Sequence, residues 1–319
     1  MVKKALLGQV GDSEIRLLQI FKAVVECGGL SAAELELNIG RSTVSRHIKD
    51  LEARLGLVLC TRGRAGFALT ADGQRVYEGA LGLLGSIDAF RTRVRDLQDE
   101  MVGNLVIGMF DKTASNPQAH VGAAIGAFRR IAPAATLDII VGTLTTIEAA
   151  LIDGRIHVGI VPDHRRSESL RYDPLFGESM YLYCGRGHPL FGADHRKMAL
   201  AELQRHAYAG LAFHSPNMEA AHRIRLRRRA SVTDQEAVAT LVLSGGYIGF
   251  LPDHYAESFV RAGQVQRVAH PECRYDVQFV SIVRRSPAPT RLAQAFLDAL
   301  LAAHAARGKL RAPRAVRGT

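Results

Sequence analysis

The chain is 319 residues long, more than one hydrophobic core ordinarily serves, so two or more compact units are expected. With 47% hydrophobic and 23% charged residues it lies outside the disordered and fibrous compositions, and no stretch approaches the roughly 20 apolar residues of a bilayer-crossing helix. The net charge of +10 suggests a polyanionic partner.

The opening MVKKALLGQVGDSE reaches Asp12 before any signal-length apolar run develops, which predicts a cytoplasmic protein without membrane contact. Residues 13–56 read as three helices. Apolar residues recur at helical spacing: Ile15, Leu18, Phe21, Val24 and Val25, then Leu30, Ala33 and Leu37, then Val44, Ile48, Leu51 and Leu55. Ser31 with Glu34 is expected to cap the second helix, and Gly40 to end it with a positive φ. Two apolar helices joined by a short turn make a helix-turn-helix, whose second helix suits a major groove. The expected DNA-facing residues are Arg41, Ser42, Thr43, Ser45, Arg46 and Lys49, since no acid from Gly40 to Lys49 repels phosphate.

After Leu55-Gly56, two short apolar runs flank Thr61-Arg62-Gly63-Arg64-Ala65-Gly66, the pattern of a β-hairpin wing that would set Arg62 and Arg64 beside the duplex. Thr70 or Asp72 can cap a long helix reaching about Asp99. Its apolar stripe of Val76, Leu83, Leu84, Ile87, Phe90, Val94 and Leu97 asks for a second copy, so a homodimer is expected.

From Asn104 onward, short apolar runs alternate with helical stretches, as in α/β folds. Strands are expected at 104–109, 137–141 and 157–161 in a parallel sheet, with helices near 117–131 and 145–153. A second set covers 179–185, 207–211, 234–244 and 247–251, and the chain returns through a strand at 277–283 and a helix at 290–304. Two lobes follow, with a cleft suited to a small molecule. The domain reading is 1–70 for DNA binding, 71–100 for the linker helix and 104–304 for regulation. Lobe 1 takes about 104–163 and 267–304, and lobe 2 about 164–266. A basic tail over 305–319 is expected to be disordered, and the arginines from Arg223 to Arg229 are read as a solvated helix or strand edge.

Several motifs together resemble the LysR-type transcriptional regulators: Phe21-x-x-Val24-x-Glu26, Ser42-Thr43-Val44-Ser45-Arg46-x-Ile48, Leu51-Glu52-x-x-Leu55-Gly56, Thr61-Arg62 and Leu69-Thr70-x-x-Gly73. Further matches are Gly103-Asn104-Leu105-Val106-Ile107-Gly108 and Gly245-Gly246-Tyr247-Ile248-Gly249-Phe250-Leu251-Pro252. The resemblance implies an all-α winged helix-turn-helix, a long linker helix and a two-lobed, periplasmic-binding-protein-like α/β domain. It also implies a homotetramer built from dimers on double-stranded operator DNA, in which a bound effector alters DNA bending. Effector contacts are implied at Lys112, Thr113, Ser115, Asn116, Thr143, Thr145, His214 and Ser215. Their hydroxyls and the Lys112 ammonium favour an anionic metabolite. Thr113, Ser115, Asn116 and Asp111 could equally satisfy their own loop backbone. His157 stands where the family often has Asp at the end of a strand, and is expected near the cleft.

No hydrolase elbow, zinc-protease or phosphate-loop motif occurs, so no catalytic activity is expected. Neither a cofactor nor a metal site is expected either. Cys27, Cys60, Cys184 and Cys273 lie far apart without ligand spacing and read as reduced thiols. Two alternatives stay open: a thiol redox sensor using Cys184 and Cys273, and a DNA-binding protein whose α/β part only oligomerises.

Overall fold

A computed structural model of the protein describes residues 10–63, 66–96 and 101–308. The chain divides into two compact units, Met1–Arg91 with Asp153–Arg155, and Thr92–Ile152 with Ile156–Thr319.

The first unit begins with α1 (Asp12–Glu26), whose start is closed by the Gly11 N–H donating to the Glu14 carboxylate at 2.9 Å. Helix α2 (Leu30–Leu37) and helix α3 (Arg41–Leu55) follow. The Ser31–Glu34 capping box does not form. Gly28 and Gly29 take positive φ values of 73° and 150°, so the chain turns on glycine alone and α2 starts before Ser31. Asn38, at φ 51°, makes the left-handed turn expected of Gly40, which precedes α3 at φ −61°. Phe21, Val24, Ala33, Val44, Ile48 and Leu51 close a small core between the three helices.

Strands β1 (Cys60–Gly63) and β2 (Gly66–Leu69) pair antiparallel as the wing. The Glu52 carboxylate of α3 accepts the N–H groups of Leu59 and Cys60 at 2.8 and 3.3 Å, tying the wing to that helix. Thr70 does cap the long helix α4 (Ala71–Asp96), its hydroxyl accepting the Gly73 N–H at 2.8 Å. Residues 97–100 of the linker, Arg64, and 309–319 of the basic tail lie outside the described residues.

In the second unit, β3 (Asn104–Met109), α5 (Val121–Ile131), β4 (Thr136–Val141), α6 (Leu144–Ile152) and β5 (Val158–Pro162) form a parallel three-strand layer with β3 in the middle. Strand β6 (Leu170–Gly185) leads into α7 (Leu200–Leu203), β7 (Ala207–Leu211), α8 (Pro216–Arg223), β8 (Arg227–Val232), α9 (Gln235–Leu243), β9 (Ile248–Pro252), α10 (Asp253–Arg261) and β10 (Val265–Arg267). Strand β11 (Arg274–Arg284) and helix α11 (Arg291–Gly308) complete the chain.

The sheet order is β4-β3-β5-β11-β6-β9-β7-β8, with β10 beside β6. Parallel pairing holds only within each lobe's outer strands. The long strands β6 and β11 run antiparallel from Leu170/Arg284 to Tyr181/Arg274 and belong to both lobes, so the lobes share a continuous two-strand seam. Each parallel set is built through crossovers, and the chain leaves lobe 1 along β6 and comes back along β11. The first half of β6 escapes sequence reading because Arg171, Asp173, Pro174, Gly177 and Glu178 interrupt its apolar pattern. Lobe 1 is covered on one face by α5 and α11, where Phe128 meets Phe296 edge-on at 5.8 Å, and on the other by α6 through Leu144, Ile147 and Leu151. Among the described residues no helix is long and apolar enough to cross a membrane.

Candidate functional site

Helix α3 buries Val44, Ile48 and Leu51 against α1 and α2. At about 100° per residue, those positions face inward and place Ser42, Arg46 and Lys49 on the opposite side, with Ser45 at its margin. Arg41, Ser42, Arg46 and Lys49 are exposed, and Thr43 and Ser45 are half-buried. The structure thus brings Ser42, Arg46 and Lys49 onto one outward surface, with Thr43 and Ser45 half-buried on its opposite flanks. An acid, Asp50, is also exposed just beyond Lys49. Arg62 lies on β1, and its side chain, like all of Arg64, lies outside the described residues.

The second candidate site is the cleft between the lobes. Phe110, Leu144, Pro162, Glu178, Met180, Leu211, Phe213, Ser215, Pro216, Asn217, Gln235, Tyr275 and Val277 line this cleft, which is partly open to solvent. Its walls come from the carboxyl ends of β3, β5 and β7, from the starts of α6, α8 and α9, and from the β6–β11 seam.

Of the expected effector residues, only Ser215 is itself in this lining; Leu144 lies between Thr143 and Thr145, and Phe213 precedes His214. The loop after β3 has other employment. The Thr113 hydroxyl donates to the Phe110 carbonyl at 2.7 Å, and Asn116 donates to the Gly177 carbonyl at 3.2 Å while accepting the Gln118 N–H at 2.9 Å. Both side chains are buried. Ser115 donates to the Lys112 carbonyl at 3.0 Å and lies 3.0 Å from Nδ1 of His254, whose Nε2 is 2.9 Å from the Glu178 carboxylate. The Lys112 ammonium pairs with Glu236 and sits 4.4 Å above the Tyr255 ring. Thr143 caps α6, accepting the Thr146 N–H at 3.3 Å, and Thr145 is exposed on that helix. Ser215 caps α8 by accepting the Met218 N–H at 3.4 Å.

Sequence reasoning missed four polar side chains of the lining: Glu178, Asn217, Gln235 and Tyr275. Asn217 and Gln235 are each only 3% exposed. Asn217 Oδ1 accepts the Tyr208 hydroxyl at 2.6 Å, but its Nδ2 has no partner, and neither has Gln235 Oε1. The signals were faint: each residue stands in the first turn of a helix after a capping residue, Ser215 or Asp234. Asp111 reaches across to accept the Gln235 N–H at 2.7 Å, and burial pushes its carboxyl up to about 6.

His157 is not near the cleft. It precedes β5, at the end opposite the cleft-lining Pro162, and its Nδ1 accepts the Val106 N–H at 2.8 Å. This imidazole ties β3 to the residue before β5. The four cysteines are free, and burial pushes Cys184 up to about 11 and Cys273 up to about 12, so neither is a ready thiolate. The redox alternative loses its chemical basis at these two sites.

A wing and an outward-facing basic helix, followed by a two-lobed α/β domain with a cleft, define a winged helix-turn-helix transcriptional regulator with a separate ligand-binding type of domain. Residues 15–74 match the bacterial regulatory helix-turn-helix proteins of the lysR family, and residues 98–305 match the LysR substrate binding domain. The chain belongs to the LysR family of transcriptional regulators and is not an enzyme. The HTH-type transcriptional activator BauR of Pseudomonas aeruginosa is 39% identical over 294 residues, covering 92% of this chain and 96% of that one. The probable HTH-type transcriptional regulator LrrA of Synechococcus elongatus is 35% identical over 177 residues, 55% of this chain and 59% of its own. Among solved structures, CbnR, a LysR family transcriptional regulator, aligns with a TM-score of 0.63 at 23% identity over 91% of this chain and 99% of CbnR. Full-length CbnR complexed with its target DNA aligns with a TM-score of 0.59 at 24% identity over the same shares. At these identities the likeness is one of fold.

Proposed function

We propose that this regulator, working in the cytoplasm, reads an operator through Ser42, Ser45 and Arg46 of α3, with Arg41, Thr43 and Lys49 beside them and Arg62 and Arg64 on the wing. A small metabolite in the inter-lobe cleft modulates that binding or the bend of the DNA. Hydroxyls and guanidinium groups on one helix face suit base edges, and lysine suits phosphate. On α4, Leu83, Phe90 and Val94 are 37%, 66% and 43% exposed and recur at four- and seven-residue spacing, a stripe suited to a second copy. The exposed Ile139, Ile140 and Val141 of edge strand β4 support a second self-contact and hence a tetramer.

One observation carries the effector reading: two buried amide side chains in the cleft each keep one polar atom without a partner. Such groups cost free energy unless something meets them. The effector offers an acceptor to Asn217 Nδ2 and a donor to Gln235 Oε1. The acceptor is the anionic group expected from the sequence, received at the N-terminal end of α8. No lysine or arginine lines the cleft among the described residues, and Glu178 adds a carboxylate, so charge is balanced by a donor group at the other end of the metabolite.

The test is calorimetric titration and thermal shift with hydroxy acids, amino acids and plain dicarboxylates of similar size. Compounds carrying both groups should raise the melting temperature, and those with an acid alone should do less. If none binds, the α/β unit serves assembly only.

A further inference from the structure

At the rim of the cleft, three side chains with metal-ligand chemistry meet from separate stretches of the chain. His164 lies two residues beyond β5, where the chain leaves lobe 1, His214 follows β7 in lobe 2, and Glu219 stands on α8. Their ligating atoms all lie within 4.8 Å of one another. His164 Nε2 is 2.6 Å from His214 Nδ1 and 4.0 Å from a Glu219 oxygen, and the two rings stack with centroids 4.8 Å apart.

Arg165 defines how this cluster is protonated. Its Nη2 is 3.1 Å from His214 Nε2, and a guanidinium can only donate. His214 therefore carries its proton on Nδ1 and donates it to His164 Nε2. A divalent cation can replace that shared proton, since the two nitrogens already lie 2.6 Å apart with a carboxylate in reach.

We propose that His164, His214 and Glu219 bind one divalent transition metal ion of the zinc class, which ties the two lobes together at the mouth of the cleft. Two imidazoles and a carboxylate suit zinc, cobalt or nickel and leave a fourth position for water or for a group of the effector. Tetrahedral bonds of about 2.0–2.1 Å set ligand nitrogens about 3.3 Å apart, so the imidazoles part by roughly 0.7 Å. The Glu219 side chain is 61% exposed and free to swing in. With metal on Nδ1, the His214 ring proton moves to Nε2, which then donates rather than accepts. Arg165 must turn away, and its charge opposes the ion.

Untagged full-length protein, stripped with a chelator, is dialysed against micromolar zinc at pH 7.5 and bound metal is counted. Wild type is expected to bind one more ion per chain than H164N/H214N, E219Q to bind at least tenfold more weakly, and R165A several-fold more tightly. Melting in chelator checks that each variant folds. The proposal is overturned if H164N/H214N retains the wild-type stoichiometry and affinity, or if wild type takes up no zinc. Should the double variant fail to fold, opposite shifts for E219Q and R165A sustain the proposal, and unchanged affinity in both overturns it. The site does not depend on the effector reading, because zinc uptake is measured without any metabolite.

Discussion

Asp111, on the loop after β3, accepts the backbone N–H of Gln235 at the start of α9 across the cleft, 2.7 Å away. One carboxylate thus holds lobe 1 against the helix that carries an unpartnered cleft oxygen. The ends of this bond lie 124 positions apart in the chain.

Burial raises the Asp111 carboxyl from 3.8 to about 6. A raised carboxyl favours the folded state while protonated, so its contribution is complete below about pH 4 and is lost as pH rises through 6. At about 1.4 kcal/mol per pH unit, the loss is on the order of 3 kcal/mol. D111N keeps an oxygen for the Gln235 N–H and cannot ionise. Thermal unfolding should show D111N matching wild type at pH 4 and exceeding it at pH 7.5; parallel pH profiles would refute this.

Gln235→Met removes the unpaired oxygen while leaving the backbone N–H to Asp111. It should raise stability by about 1 kcal/mol, roughly 2–4 °C in melting temperature, and abolish the shift given by an effector. A variant that is less stable, yet still responds to the effector, would show that the oxygen is not held for a ligand.

Gly73 admits no side chain. A β-carbon there would fall on the backbone carbonyl oxygen of Leu59, because the start of α4 packs against the start of the wing. G73A should lower the melting temperature of the DNA-binding unit and weaken operator binding, seen by calorimetry and fluorescence anisotropy. Wild-type behaviour would mean that the wing base can move aside freely.

On α3, Arg46→Ala or Ser45→Ala should cost about 1–3 kcal/mol on operator and little on random DNA. Lys49→Ala should weaken both and lower the salt slope by about 1. Anisotropy across a salt series separates these outcomes. Equal losses on both DNAs from all three would remove the base-reading assignment.

Phe90 is 66% exposed on α4, so a charge there should leave the chain folded. Sedimentation of F90D should report a smaller assembly than wild type, with weaker operator binding. An unchanged sedimentation coefficient would move the self-contact elsewhere.

The helix-turn-helix was legible because its determinants are local. Val44, Ile48 and Leu51 repeat at helical spacing, so the outward set of Ser42, Arg46 and Lys49 follows from the same periodicity that buries the core. The parallel strands were legible from short apolar runs between helices. The first half of β6 was not, because Arg171, Asp173, Pro174 and Gly177 stand among its apolar residues. On the loop after β3, Lys112, Thr113 and Asn116 carry chemistry suited to an effector, yet each is bonded within the fold and none lines the cleft.

From the order of residues alone came the family, the winged DNA-binding unit, the long helix and the two-lobed plan, since periodicity and short motifs encode them within a few turns of chain. Only the tertiary structure decided which polar atoms in the cleft remain without partners and which imidazoles meet at its rim. A donor is available only if no neighbour has taken it, and those neighbours arrive from distant segments when the lobes close around their shared strands.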